Sequence, residues 1–445
     1  MKYKLLIALF AVTTSLHAQS KKWSLRDCVD YAIENNISLN QQRLNKELSE
    51  EDIKAAKGNF LPDLGAQATQ NWDFGYSIGV VGTGTNRDRR SNTFGLSTNM
   101  NLYNGNQNRN QLKRNKLALN SNQFQLDILV DDITIQILSG YIDILAQKEN
   151  LKIAQEQVKI SKENVSQVEE FVNAGSRPRA ELYDVKSQLA SDQENLVRAE
   201  SQLTMSKIAL TEILQIPYLD FDIETVDVDI STIDLLFDNP TEIYDTAVQN
   251  RAEIMKAMND MEQSEIEIAM AKGVYYPTLS FGANAFTQYQ HFQGVPDDDD
   301  NPFQQTFGKQ LNNNLNYNIG FTLRVPIFNR NQSKVNVNKS KINYMMSENE
   351  LAQQKQNLLS NVVRVFNDAR NSLNQYKASE ASLEAQEEAF KNAEVSFKNG
   401  VMTSFEFEQV RLRLINAQST FVNSKYDFIF RSKALEYYTG VPIAE

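Results

Sequence analysis

Set back by 225 residues, the second half of this 445-residue chain lies on the first without a gap from Phe94 onward. Phe94, Gly95, Leu96, Met100 and Leu102 meet Ile319, Gly320, Phe321, Val325 and Ile327. Asn104, Asn106 and Gln107 meet Asn329, Asn331 and Gln332, and Gly175, Glu181, Gln193 and Pro217 meet Gly400, Glu406, Gln418 and Pro442. Upstream the offset is 215: Ala32 and Asn35 match Ala247 and Asn250, and Ala56, Lys57, Gly58, Pro62 and Leu64 match Ala271, Lys272, Gly273, Pro277 and Leu279. The chain is a tandem duplication, so each half must fold on one plan. The ten-residue difference between the offsets falls in a loop that is free to vary.

Each half carries a heptad series that reflects about a turn. Val130, Ile137, Ile144, Leu151, Val158, Val165 and Val172 recur every seven residues, and so do Leu182, Leu189, Leu196, Leu203 and Leu210. Reflected about residue 177, 172 pairs with 182 and 144 with 210. The second half repeats this about Met402, pairing Phe397 with Phe407, Phe390 with Leu414, Leu383 with Phe421, Tyr376 with Phe428 and Ala369 with Leu435. A seam that mirrors itself is an antiparallel helical hairpin. The hairpins are expected over 105–214 and 330–439. A helix over Gln107–Asn173 rises about 100 Å, whereas the return helix covers about half of that. A helix at about Leu39–Gly58, stacked end to end with the return helix, would supply the remainder.

Ahead of each hairpin the period changes to two. In Asn314–Phe328, Leu315, Tyr317, Ile319, Phe321, Leu323, Val325 and Ile327 alternate with Asn314, Asn316, Asn318, Gly320, Thr322, Arg324 and Pro326. Soluble strands average about 5–6 residues, and membrane strands about 9–11, so the length favours a bilayer-facing strand. Leu64–Tyr76, Asn92–Tyr103 and Thr278–Phe292 read the same way. A half-buried soluble strand remains the alternative for any one of them. Four strands do not close a barrel, and an open edge in lipid leaves backbone groups unsatisfied. The chain is therefore expected to oligomerise.

The remaining organisation is simple. Residues 1–18, with Lys2, Lys4 and the apolar run Leu5–Val12, read as a secretory signal peptide. Residues 19–217 form the first repeat, 218–240 an acidic linker with a short alternation at Val226, Val228 and Ile230, and 241–445 the second repeat. Ser24 is expected to cap a short helix to about Asn36, with Thr241–Asn250 as its counterpart. No later apolar run reaches the roughly 20 residues of a membrane helix. Acidic residues outnumber basic ones, 56 to 45, which argues against nucleic acid. One cysteine, Cys28, and two histidines, His17 and His291, leave little for metal or nucleophilic catalysis, so no enzyme, cofactor or metal site is expected. Asp297–Asp300 lack the spaced ligands and glycine of a calcium loop and read as a solvated run.

Together the signal peptide, the two tandem halves, the Asn-rich exits at Asn104 and Asn329, and the turn glycines Gly175 and Gly400 resemble the TolC-like outer-membrane efflux and secretion channels. The resemblance covers nearly all of Trp23–Pro442. It implies a mainly α protein with membrane β: a homotrimer whose 12-strand barrel in the outer membrane continues as a 12-helix periplasmic α-barrel. It implies a passive exit, by tripartite efflux or type I secretion, for substrates delivered by an inner-membrane pump, proton-driven or ATP-driven, through a periplasmic adaptor. By the same resemblance the hairpin tips dock the adaptor: Ala174, Gly175, Ser176, Arg177 and Pro178 in the first, Asn399, Gly400, Val401, Met402 and Thr403 in the second. Glu181 and Glu406 match carboxylates that ring the family's closed periplasmic mouth. Gln409 replaces a further family aspartate, and Met402 stands where the family has a locking arginine; the equivalent first-half site holds Arg177. Two other classes stay open: a coiled-coil envelope protein or periplasmic adaptor without a pore, and an envelope enzyme using carboxylates alone.

Overall fold

The computed structural model describes residues 22–78, 84–86, 88–225, 239–300 and 304–439. The expected signal peptide and the alternation at Val226, Val228 and Ile230 lie outside them. In chain order the elements are β1 (Lys22–Trp23), α1 (Leu25–Asn35), α2 (Ile37–Gly58), β2 (Gly65–Asp73), β3 (Tyr76–Ile78), β4 (Gly84–Asn86), β5 (Arg89–Asn104), α3 (Gln107–Asn173) and α4 (Arg179–Leu214). There follow β6 (Asp222–Ile223), α5 (Pro240–Asn250), α6 (Ala252–Gly273), β7 (Thr278–Phe292), α7 (Phe307–Asn313), β8 (Asn316–Arg324), α8 (Gln332–Lys398) and α9 (Ser404–Tyr438). The duplication is visible in the lengths: α1 and α5 have 11 residues each, α2 and α6 have 22, and α3 and α8 have 67. None of the helices among the described residues is long and apolar enough to cross a membrane.

The chain forms two compact units, Met1–Leu44 with Phe124–Met255 and Ala352–Glu445, and Asn45–Gln123 with Lys256–Leu351. In the first, Cys28, Val29 and Ala32 of α1 enter one core with Ile137, Ile144, Leu210 and Phe428. Ser24 caps α1 as expected, its hydroxyl accepting from the Asp27 N–H at 3.0 Å while the Asp27 carboxylate accepts from the Ser24 N–H at 3.1 Å. The mirrored heptads meet: the rings of Phe397 and Phe407 stack at 4.6 Å and those of Tyr376 and Phe428 at 6.0 Å. The start of α2 abuts the end of α4, where the Gln215 side chain accepts from the Ile37 N–H at 3.1 Å. The second half repeats that junction, with the Arg251 guanidinium 4.3 Å from the Tyr437 ring. Beside them a two-stranded parallel sheet pairs β1 with β6, and Asp222 of β6 is held by Lys148 at 2.9 Å and Lys207 at 3.0 Å.

The second unit is built on a four-stranded antiparallel sheet in the order β2-β5-β7-β8. Its register sorts the side chains. One row across the strands reads Ala66, Leu96, Ala285, Tyr317 and the next Gly65, Ser97, Asn284, Asn318. Phe281 and Phe321 extend the apolar face, their ring centroids 5.3 Å apart, while Ser280 and Thr322 extend the polar one. That is the alternation expected from sequence.

Some boundaries differ. β8 stops at Arg324 rather than running to Phe328, because Pro326 has no N–H to give to a ladder. The first strand is Gly65–Asp73, not Leu64–Tyr76, since Gly75 turns the chain at φ +117°. β5, at Arg89–Asn104, is longer than expected and pairs on both sides. The loop that differs in length between the halves carries α7, which the sequence reading missed. Its Phe307 packs at 4.9 Å on Tyr289 and 6.4 Å on Phe94, both on the apolar face. At the exit from β5, Gly105 sits at φ +66°, and a Cβ there would lie 2.1 Å from the Gly273 carbonyl oxygen, so this joint accepts only glycine.

Candidate functional site

Both hairpins close by the same turn. Gly175 and Gly400 each sit at φ +74°. Gly175 N–H donates to the Val172 carbonyl at 3.0 Å and Ser176 N–H to that of Phe171 at 2.9 Å; Gly400 and Val401 do likewise to Phe397 at 2.9 Å and Ser396 at 3.0 Å. These are Schellman closures. A Cβ on either glycine would meet nothing within 4 Å, so the backbone angle alone asks for glycine. Ala174, Ser176, Asn399 and Val401 are exposed around them.

The helices leaving the turns start differently. Pro178 caps α4 with no side-chain hydrogen bond. Thr403 caps α9 in a capping box: its hydroxyl accepts from the Glu406 N–H at 3.3 Å, and the Glu406 carboxylate accepts from the Thr403 N–H at 3.0 Å. These bonds from Thr403, backbone then side chain, hold the Glu406 carboxyl below its ordinary value of 4.5. Glu181, the matching residue in α4, has no such cap to serve and turns elsewhere.

It turns to Arg177. The guanidinium pairs with the Glu181 carboxylate, donates to the Met402 carbonyl at 3.0 Å and to the Ser404 hydroxyl at 3.4 Å, and Ser404 in turn donates to Glu181. The arginine also lies over the Phe171 and Phe397 rings, 5.3 and 5.5 Å from their centroids. Burial pushes the Glu181 carboxyl up, but the bonds from Ser404 and Arg177 and the guanidinium charge outweigh it, and its pKa is lowered. Arg177 of the first tip thus reaches the Met402 backbone of the second.

Next to this cluster, Arg177, Glu181, Thr403 and Gln409 line a groove of about 390 Å³ with Phe405 and Leu412. Glu406 does not line it. Of the residues expected at the mouth, Glu181 and Gln409 therefore share the groove, and Glu406 stands apart in its cap.

One group of residues was missed altogether. Arg411 of α9 is fully buried and pairs with Asp192 of α4 at 2.8 Å and Glu408 at 2.7 Å. It also donates to Ser161 at 2.9 Å and Gln157 at 3.1 Å on α3, while Asn164 donates to Glu408 at 2.9 Å. This layer ties the return helix of the second hairpin to both helices of the first. The repeat does not contain it twice: Lys186 and Ala417 occupy the positions equivalent to Arg411 and Asp192. Its signal was present, because Arg411 follows the seam residue Phe407 by four and precedes Leu414 by three, and Asp192 lies between Leu189 and Leu196 on the same stripe.

Comparison with known proteins agrees with this architecture. The family model described as outer membrane efflux protein matches residues 28–214 and 243–441. Among solved structures, CusC superposes with a TM-score of 0.79 at 15% identity, covering 94% of this chain and 92% of that one. VceC from Vibrio cholerae gives 0.75 at 16%, covering 94% and 96%, and CmeC from Campylobacter jejuni gives 0.75 at 17%, covering 94% and 85%. No curated protein matches in sequence. With the family model matched in both halves of the duplication, the chain belongs to the outer membrane efflux protein family.

Proposed function

We propose that this outer-membrane protein, with its periplasmic helical extension, works as a homotrimeric passive exit duct. A periplasmic adaptor would link it to an inner-membrane pump, in tripartite efflux or in type I secretion. The observation that carries the reading is the sheet: one face apolar, the other polar, and, among the described residues, a free ladder edge on each of β2 and β8. Such an edge is not tolerated in lipid. Three copies of a four-stranded sheet supply twelve strands, within the size range of membrane barrels.

At the periplasmic mouth the two glutamates take different parts. Glu181 belongs to an arginine latch that joins the two tips of one protomer, and Glu406 carries a charge that no basic side chain offsets among the described residues. The exposed turns around Ser176 and Thr403 are the adaptor's landing points. Membrane fractionation with native mass spectrometry tests the assembly: the expected product is a trimer from the outer-membrane fraction, and a stable monomer there would overturn it. Cysteines at Ser176 and Thr403 should crosslink to a co-expressed adaptor. An active complex with no crosslink at either site would remove the tips as docking points.

A further inference from the structure

The two outer strands of the four-stranded sheet are equal in length but staggered. β2 and β8 have nine residues each. Followed across the ladders, Gly65, Ala66 and Gln67 of β2 lie level with Asn318, Tyr317 and Asn316 of β8, and no other row holds both strands. The rest of β2 runs on towards the loops, and the rest of β8 runs the opposite way, towards α8.

Where β8 has not yet begun, the edge of β7 is already closed. The Asn314 amide donates to the Gln288 carbonyl at 2.7 Å, and Gln310 accepts from the Gln290 N–H at 3.0 Å and donates to its carbonyl at 2.9 Å. Gln304 accepts from the Phe292 N–H at 2.9 Å. These side chains stand in for a strand, so a neighbour laid straight along the rows would pair through three residues and then run against α7.

We infer that β2 of one copy pairs antiparallel with the whole of β8 of the next, six residues out of row. Gly65 then stands opposite Arg324, Thr69 opposite Gly320 and Asp73 opposite Asn316. This register rests on the trimeric reading and deepens it. An odd offset would carry the asparagines of β8 to the apolar face. Offsets of four or eight keep the faces matched but leave two residues of each nine-residue strand unpaired, a cost that lipid magnifies. Six pairs all nine.

Barrel closure asks for the same value. Six residues per copy make eighteen round three four-stranded sheets. At about 3.4 Å per residue and about 4.8 Å between strands, that stagger tilts the strands by about 45°, as membrane barrels require. The seam is complementary in size as well. Ala66 and Ala68 would face Leu323 and Phe321, which are 64% and 68% exposed in the single chain, and Trp72 would face Tyr317. Gln70, the polar exception on this side of β2, already accepts from Asn92 at 3.2 Å.

Disulfide trapping in the purified full-length protein, folded in lipid, tests the register. Within one copy β5 and β7 separate β2 from β8 by three strand spacings, about 14 Å, too far for a disulfide, so any bond joins two copies. The native Cys28 is fully buried. Gln67→Cys with Thr322→Cys, and independently Asn71→Cys with Asn318→Cys, should give a covalent trimer on a denaturing gel after oxidation. Gln67→Cys with Arg324→Cys, and Asn71→Cys with Asn316→Cys, report offsets of eight and four and should react more slowly. Gln67→Cys with Asn316→Cys, level within one sheet, should give none. Native mass spectrometry of the unaltered protein separates the two claims. A trimer in which a control pair reacts fastest, or in which neither expected pair reacts, would overturn the register alone; a monomer would overturn the trimeric reading and the seam with it.

Discussion

Two arginines at different depths divide the work of holding the hairpins together. Arg177 and Glu181 keep about a sixth of their side-chain surface in solvent, at 14% and 17%, whereas Arg411 and Asp192 keep 0% and 4%. A hydrogen bond to a charged group contributes about 1.5–3 kcal/mol, so losing Arg177 should shift an open–closed equilibrium about tenfold or more. Arg177→Gln should accordingly raise single-channel conductance or open time. The latch also has a pH sign. Because the Glu181 pKa is lowered in the fold, its contribution is complete above the ordinary value of 4.5 and is lost as pH falls through the lowered value. Opening should therefore increase below pH 4.5, and that acid step should be smaller in Arg177→Gln; an identical step would remove Glu181 from the latch. The deep layer behaves otherwise. Arg411→Met leaves Asp192 buried and Glu408 half-buried without the arginine and should cost about 3–5 kcal/mol in unfolding, whereas Arg411→Met combined with Asp192→Leu and Glu408→Gln should be near neutral. Equal losses in the two variants, by helical circular dichroism on heating, would contradict a buried ion cluster. Heptad counting passed over these charges because it follows the apolar positions of a stripe and not the polar residues set into it.

At the scale of elements, period was informative and ends were less so. The reflected seams located both hairpins, and the seam aromatics of the second meet as the reflection requires, Phe397 on Phe407 beside the turn and Tyr376 on Phe428 farther along. The alternation placed all four long strands and their faces, since a slip of one residue would exchange the asparagines of β8 for its aromatics. It overran at Val325–Phe328, where alternation continues in the sequence but Pro326 ends the ladder. α7 was not legible: seven residues with only two large apolar side chains, Phe307 and Leu311, are too short to show a period, and its place depends on Tyr289 and Phe94 from distant strands. The register has a direct consequence. Phe321→Arg puts a cation on the lipid face and should cost about 2–4 kcal/mol near the midplane, while Thr322→Arg on the polar face should be tolerated. Trimer yield after refolding into lipid measures the difference, and equal yields would count against this register.

For the whole molecule, the duplication explains why one architectural plan could be read twice, and the departures from it mark where the two hairpin tips differ in structure. The first tip has Arg177 and a helix start without a side-chain cap; the second has Met402 and the Thr403–Glu406 box. Spacing alone shows two glutamates at equivalent positions, and only the structure separates one in an ion pair from one in a cap. Three copies would bring six such carboxylates to one mouth, and two charges about 6 Å apart repel by about 0.7 kcal/mol even in bulk water. A mouth of that kind should favour cations. Glu406 should dominate the preference, because Glu181 is offset by Arg177 at the same tip. Single-channel recording of the purified protein across a salt gradient tests this most directly. The account expects discrete conductance steps with a cation-preferring reversal potential, most of which is lost in Glu406→Gln and the rest on adding Glu181→Gln. A protein that forms no pore, or a reversal potential unchanged in the double variant, would contradict it.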